Sequence, residues 1–257
     1  MKYIKYDISE RIAFITLNRP EKRNALNDEV VTALIAAFTS ANSDSNVKVI
    51  ILKAEGKIFC AGADLTYIQQ LQKNTYEENL EDSSHLKDLF HLIYTMDKVV
   101  ISQINGHAIA GGCGLAAVTD FSFAVPEAKF GYTEVKIGFI PAIVSVFLIR
   151  KVGEAKSKEL LLTGTLFDAN RAASYGLINW VVEPDELEKK VLDFANQLIS
   201  NNAAQSMAIT KRLIHEVQSL NLEDGLKLAV QMNAKARATE DCKKGITAFL
   251  NKAKPKW

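Results

Sequence analysis

Residues 105–120 read NGHAIAGGCGLAAVTD, with glycines at 111, 112 and 114 running straight into the apolar helical pattern LAAVT. Glycine costs about 1 kcal/mol relative to alanine inside a helix, so a cluster at a helix start marks a turn needing positive φ or a place where something lies against the backbone. A helix start also leaves N–H groups without intrahelical acceptors, at the positive end of the helix dipole. Such a stretch can hold an anion or a carbonyl oxygen that is gaining negative charge. A phosphate cradle is the weaker reading, because GGCGLA has neither the Lys-Ser/Thr of a P-loop nor the G-x-G-x-x-G spacing of a dinucleotide fold. An oxyanion site needs a second donor, and the glycine loop FCAGADL at residues 59–65 is the natural supplier. The bland alternative is a pair of tight strand-to-helix turns.

Outward from these loops the chain repeats a pattern. YIKYDISERIAFITLNRP gives two short strands around a polar turn at Ser9 to Arg11, and Pro20 stops the second. Residues 27–42 follow as an amphipathic helix, with Val30, Val31, Leu34, Ile35 and Phe38 at helical spacing, and VKVIILKA is a buried strand. After GKIFCAGADL come a polar stretch around Lys73 to Ser84 and a helix-like segment from His85 to Tyr94. Strand VVISQI, the glycine turn, helix LAAVT and strand FSFAV then repeat the order. This predicts an α/β fold of stacked ββα or βαβ units with both glycine loops at one end of the sheet. From about residue 154 the pattern turns helical: EAKSKELLLTG ends on Gly164 as a C-cap, and DANRAASYGL starts on Asp168 as an N-cap. INWVV reads as the only later strand, and residues 184–254 carry three or four amphipathic helices. The expected division is an α/β core over residues 1–195 and a helical region over residues 196–257.

Of the 257 residues 48% are hydrophobic and 24% charged, ordinary values for a soluble globular protein with a substantial core. The net charge of +1 provides no global field favouring nucleic acid or a membrane surface, and the one local basic cluster is Lys243, Lys244, Lys252, Lys254 and Lys256. The N-terminus does not read as a signal peptide and no apolar stretch reaches membrane-spanning length, so the cytoplasm is the expected compartment. Cys60, Cys113 and Cys242 are odd in number and far apart, which indicates neither a disulfide framework nor a zinc site.

NRPEKRNALN, GKIFCAGADL, INGHAIAGGCGLAAVTDFSFAVPEAKFGYTEVKIGFIPA and AASYGLINWVV, in that order from about residue 10 to the C-terminus, together resemble the enoyl-CoA hydratase/isomerase family, also called the crotonase family. Each motif alone is weak; the ordered set is highly specific. The resemblance implies a crotonase-like spiral of ββα units, a helical C-terminal region that makes homotrimers, often paired into hexamers, and an acyl-CoA thioester substrate. It implies no metal and no cofactor beyond the CoA carried by the substrate. The thioester oxygen would be held by the backbone N–H groups of Ala63 and Gly111. The CoA adenine and phosphates would lie near Lys22, Arg23 and the stretch from Ala61 to Asp64, helped by Phe249 and Lys252 acting from a neighbouring subunit. Read without the resemblance, Lys22 and Arg23 are a solvated turn and Asp64 is an N-cap.

The chain also departs from the family pattern. Family hydratases commonly place one glutamate directly after the G-G-C run and another twenty positions later; here these positions hold Gly114 and Glu134. Hydration is usually drawn with both carboxylates gripping the water, whereas moving a double bond needs a single base, so residue counting favours an isomerase. Against this, GFIPAIVSVFLIRKVG resembles a bacterial branch assigned to 3-methylglutaconyl-CoA hydration in leucine breakdown, in which a glycine also follows the G-G-x run. The reading is therefore a hydratase, with isomerase as the alternative. Glu134 lies between FGY and IGFIPA, a context that desolvates a carboxylate; its alternative is a surface glutamate in the first turn of a short helix. A missing acid could come from Tyr67, Tyr76, Glu77, Glu78, Glu81 or Asp82, in the segment that lines the family's acyl pocket. Cys113 at a helix start, with His107 six residues before it, could form a nucleophilic pair or simply pack. His85, His91 and His215 have no ligand-like companions. RNA binding, reported for some relatives of methylglutaconyl-CoA hydratases, finds no aromatic-basic motif here, and a non-catalytic scaffold sits poorly with an intact Glu134.

Overall fold

The computed structural model describes residues 2–257. Strands β1 (Ile4–Ser9) and β2 (Ile12–Leu17) form the expected antiparallel hairpin, with Glu10 and Arg11 both at positive φ in its two-residue turn. Helix α1 (Asp28–Ser43) starts on Asn27, whose side chain accepts from the Val30 N–H, and buries Val30, Val31, Leu34, Ala37, Phe38 and Ala41.

Three ββα turns follow. The first is β3 (Val49–Ala54), β4 (Ile58–Cys60) and the helices α2 (Leu65–Leu71) and α3 (Tyr76–Thr95). The second is β5 (Val99–Ile104), β6 (His107–Ile109) and α4 (Gly111–Val118). The third is β7 (Phe121–Ala124), β8 (Lys129–Gly131) and α5 (Ala142–Val152). Then come α6 (Glu154–Thr163), β9 (Phe167–Asp168), α7 (Ala169–Ser174) and β10 (Trp180–Val181), and last the helices α8 (Leu187–Asn201), α9 (Ala204–Val217), α10 (Leu222–Arg237) and α11 (Glu240–Leu250).

The first strand of each turn enters a six-stranded sheet, β1-β2-β3-β5-β7-β10, parallel except for the hairpin. The second strand of each turn enters a four-stranded sheet, β4-β6-β8-β9, whose β8–β9 pair is antiparallel. Each turn thus advances both sheets by one strand, and the α/β spiral with a helical C-terminal region is the expected fold. Val49, Ile50, Ile51 and Leu52 are all buried, so β3 is a continuous apolar run covered on both faces rather than an alternating one.

Two local expectations are corrected. The polar stretch from 73 to 84 is mostly helix: α3 begins at Tyr76 on a capping box in which Thr75 and Glu78 bond each other's backbone N–H. Its first turns bury nothing and so show no apolar stripe, which is confined to Leu89, Phe90 and Ile93. INWVV is not the only later strand, because Phe167–Asp168 pairs with β8. The orientation of α4 is held from behind by Lys151, whose Nζ donates to the carbonyls of Thr119 at 2.9 Å and Ala116 at 3.4 Å, a cation at the negative end of the helix.

Candidate active site

The three glycines lie within the first turn of α4, and none of them has positive φ. Two are demanded by packing. A Cβ on Gly112 would stand 2.2 Å from the Cys60 carbonyl oxygen, and one on Gly114 would stand 2.3 Å from Val144 Cγ1 and 2.9 Å from Phe90 Cε1. Only Gly111 faces relatively open space, with Leu26 Cδ1 at 3.2 Å and Gly62 Cα at 4.0 Å from such a Cβ. The positive φ falls instead on Ala110, at 51° with ψ −121°, where a side chain is strained by about 1–3 kcal/mol.

The second loop arrives beside the first. Gly62 has φ 89°, and a Cβ there would lie 2.7 Å from Ala110 Cβ and 3.5 Å from the Gly111 nitrogen. An isolated bridge couples this loop to the segment before α1: the Leu26 N–H donates to Gly62 O at 2.7 Å and the Asp64 N–H to Leu26 O at 2.8 Å. The bridge uses amides on either side of Ala63 and leaves the Ala63 N–H without a protein acceptor among the described residues; the Gly111 N–H, first in α4, has none either. Two unpaired donors on touching loops, at the positive end of a helix, can hold an oxygen that carries negative charge.

The Ala110 N–H donates to Gly131 O at 2.7 Å, tying the donor loop to the end of β8. Glu134 follows shortly after, at the start of a 3-10 turn Glu134–Ile137 that Gly138 ends in the left-handed conformation. The Oε2 of Glu134 is sealed from solvent with no hydrogen-bond partner, and burial pushes the carboxyl above its ordinary value of 4.5. This is the desolvated carboxylate expected from the flanking apolar sequence rather than a surface glutamate. Just beyond it Ile137, Phe139 and Ile140 stay exposed, an apolar rim beside the carboxylate.

Other predicted residues divide. Lys22 and Arg23 are exposed on the turn whose Arg23 carbonyl accepts from the Ala61 N–H at 3.1 Å, so they flank the Ala61–Asp64 loop. Asp64 is buried, caps α2 by accepting from the Thr66 N–H at 3.0 Å, and pairs with Arg19 Nη1 at 2.8 Å. Burial opposes its ionisation, but the Arg19 and Thr66 bonds hold its carboxyl below the ordinary value. Phe249 is 83% exposed near the end of α11 and Lys252 lies just past it; α11 packs on α9 and α10, and one chain does not bring these two residues to the loops. Tyr67 and Asp82 hydrogen-bond each other across α2 and α3, and Glu78 is used in its capping box. Cys113 is fully buried, its thiol pushed up to about 12 by burial, while His107 Nδ1 accepts from the Lys129 N–H at 3.1 Å, so the two form no nucleophilic pair.

Sequence reasoning missed Arg19 and Asn24. The buried Asn24 donates to Glu55 O at 2.9 Å and Ile58 O at 2.8 Å and accepts from the Arg19 N–H at 2.9 Å, pinning the turn that carries Lys22 and Arg23. Its only trace in the sequence is an asparagine, a residue that tolerates the φ of 54° found there. Among the described residues no three His, Cys, Asp or Glu side chains converge to hold a metal ion, and no helix is long and apolar enough to cross a membrane. A cavity of about 900 Å³ lies at the far end of α4 between α9, α11 and the core, where Lys151 and Lys211 are already engaged by carbonyls and Asp120.

Fold and site together define an α/β spiral protein with two unpaired backbone donors and, on the loop tied to one of them, a half-buried carboxylate whose Oε2 is sealed from solvent. The chain belongs to the enoyl-CoA hydratase/isomerase family, whose sequence model matches residues 7–257. It is 41% identical over 246 residues to a Thermus thermophilus protein named "Putative enoyl-CoA hydratase", covering 96% of this chain and 97% of that one. It is 35% identical to the crotonyl-CoA hydratase of Syntrophomonas wolfei subsp. wolfei, covering 95% and 94%. The crystal structure of an enoyl-CoA hydratase from Shewanella pealeana superposes with a TM-score of 0.94 at 29% identity, over 99% of this chain and 96% of that one.

Proposed function

We propose that this protein adds water to a 2-enoyl-CoA thioester. The observation that carries the reading is Glu134, a desolvated carboxylate on the loop tied to the unpaired Gly111 and Ala63 amides. The thioester oxygen accepts from the two amides. The Glu134 carboxylate takes a proton from water as the water oxygen bonds to C3, and the electron pair of the double bond moves onto the thioester oxygen as an enolate. The carboxyl then returns that proton to C2 as the enolate collapses, so one water is added and Glu134 ends as it began. Lys22 and Arg23 face the CoA phosphates. The only cofactor is the CoA of the substrate, and the resemblance of GFIPAIVSVFLIRKVG to the 3-methylglutaconyl-CoA branch supports a branched acidic acyl group as one cargo to test.

Exposed Ile214, Leu222, Leu226, Val230, Ile246, Phe249 and Leu250 on α9 to α11 support a trimer or hexamer in which a neighbour supplies Phe249 and Lys252 to the CoA. Isomerisation of a 3-enoyl-CoA is the second reading, favoured by the closed packing at Gly114, which leaves a single carboxylate. Incubating the protein with crotonyl-, 3-methylglutaconyl- and 3-enoyl-CoA in heavy-oxygen water separates the two by product mass. Label in the product, unaffected by EDTA, is the expected result; a shifted double bond without label would replace hydration by isomerisation. Gly111→Val crowds the thioester and tilts the donor, and is expected to lower turnover about a hundredfold without loss of fold; wild-type turnover in a folded variant removes Gly111 from the site.

A further inference from the structure

Glu134 Oε2 is not the only polar atom left without a partner beside the donor loops. Tyr132, two residues earlier, is fully buried, and its hydroxyl also lacks a hydrogen-bond partner. Buried hydroxyls and carboxylate oxygens are paired in the great majority of native structures, because an unmet one loses its bond to water and gains nothing. Here a proton donor and a pure acceptor, each short of one bond, sit on one short loop. Apart from the residue's own backbone N–H, which reaches the carboxylate, no nearby group offers Oε2 a strong donor. Gly114 has no side chain, Val144 and Phe90 fill the space beside it with carbon, and the Cys113 thiol, which faces the Tyr132 hydroxyl without hydrogen-bond geometry, is a weak donor. The neighbouring charged group on the same turn, Lys136, is exposed.

We infer that Tyr132 is a positioning residue for Glu134: its buried hydroxyl donates to Oε2 of the ionised carboxylate, across at most one water, and so does the work left undone by the carboxylate missing at Gly114. Burial holds the phenol well above its ordinary value, so it keeps its proton throughout. The bond is strongest while Glu134 is charged and ready to accept a proton, and weakens once the carboxyl is protonated. That orients the carboxylate and sets which form dominates at neutral pH, without any contact between Tyr132 and substrate. The catalytic consequence rests on the hydration reading above; the hydrogen bond does not.

Tyr132→Phe keeps the ring and removes only the hydroxyl. The expected result is a fall in kcat of about 10- to 100-fold, the scale of one hydrogen bond to a charged group, with KM for the CoA ester within about twofold. Losing a donor to the charged form raises the carboxyl pKa, so the acid limb of the kcat/KM profile moves to higher pH. The Glu134 carboxyl carbon signal, identified by its loss in Glu134→Gln, should titrate at higher pH in Tyr132→Phe by carbon-13 NMR. Unchanged kcat, acid limb and carboxyl titration, with a melting temperature equal to or above wild type, would mean an idle hydroxyl and overturn the inference. If wild type turns over no enoyl-CoA, hydration fails as the activity and the carboxyl titration alone decides: a shift upholds the positioning bond, and no shift overturns it.

Discussion

Glu134→Gln is expected to lower turnover by about two to four orders of magnitude while CoA-ester binding persists, because the amide keeps the shape of the carboxyl and cannot carry the proton. Steady-state kinetics with a separate binding titration test this. Full turnover in the variant would transfer the proton chemistry to the acidic segment from Glu77 to Asp82. Two pH signatures accompany the loss. Glu134 must be ionised to accept a proton from water, and burial raises its pKa above 4.5, so kcat/KM of the wild type falls on the acid side through a pKa above that value. For stability the sign is opposite. A carboxyl whose folded pKa is raised favours folding in its protonated form, a contribution present below 4.5 and lost as pH rises through the folded value. Glutamine is neutral at every pH, so the variant should melt above wild type at neutral pH, and the difference should vanish as pH falls toward 4.5.

Gly114→Glu, the substitution that would restore the family's other carboxylate, is expected to damage the fold rather than improve catalysis. Its Cβ would start 2.3 Å from Val144 Cγ1 and 2.9 Å from Phe90 Cε1, in a helix whose inner face is fully buried. Overpacking costs about 1–3 kcal/mol, and an unpaired buried carboxylate adds at least as much again, so a loss of about 4 kcal/mol is a large part of the roughly 5–15 kcal/mol that holds a domain together. The urea midpoint should fall steeply, and combining the change with Val144→Gly, which removes the nearest obstruction, should recover part of it. A Gly114→Glu protein as stable as wild type and faster in hydration would show that α5 yields at this point.

The repeating order of strand, glycine loop and helix, the caps at Gly164 and Asp168, and the apolar setting of Glu134 were all legible along the chain. These are local properties: periodicity, left-handed preference and flanking hydrophobicity act within a few residues. The start of α3 was not legible, because its first turns are held by a cap and cover no core, which leaves no periodic signal. The glycine run shows the limit more sharply. Three identical residues in four positions looked like one device, and the structure gives them separate reasons: Gly112 meets a carbonyl of β4, Gly114 meets α5 and α3, and Gly111 alone stands open beside the other loop. Likewise the sequence reads Asp64 as either a CoA contact or a cap, and only the folded chain brings Arg19 to its carboxylate. Whether position 114 can hold a carboxylate depends on Val144, thirty residues on, and on Phe90, twenty-four residues before. Steric exclusion between residues so far apart in the chain exists only once the helices that carry them have packed together, so the sequence set the glycine and the tertiary structure decided what it is for.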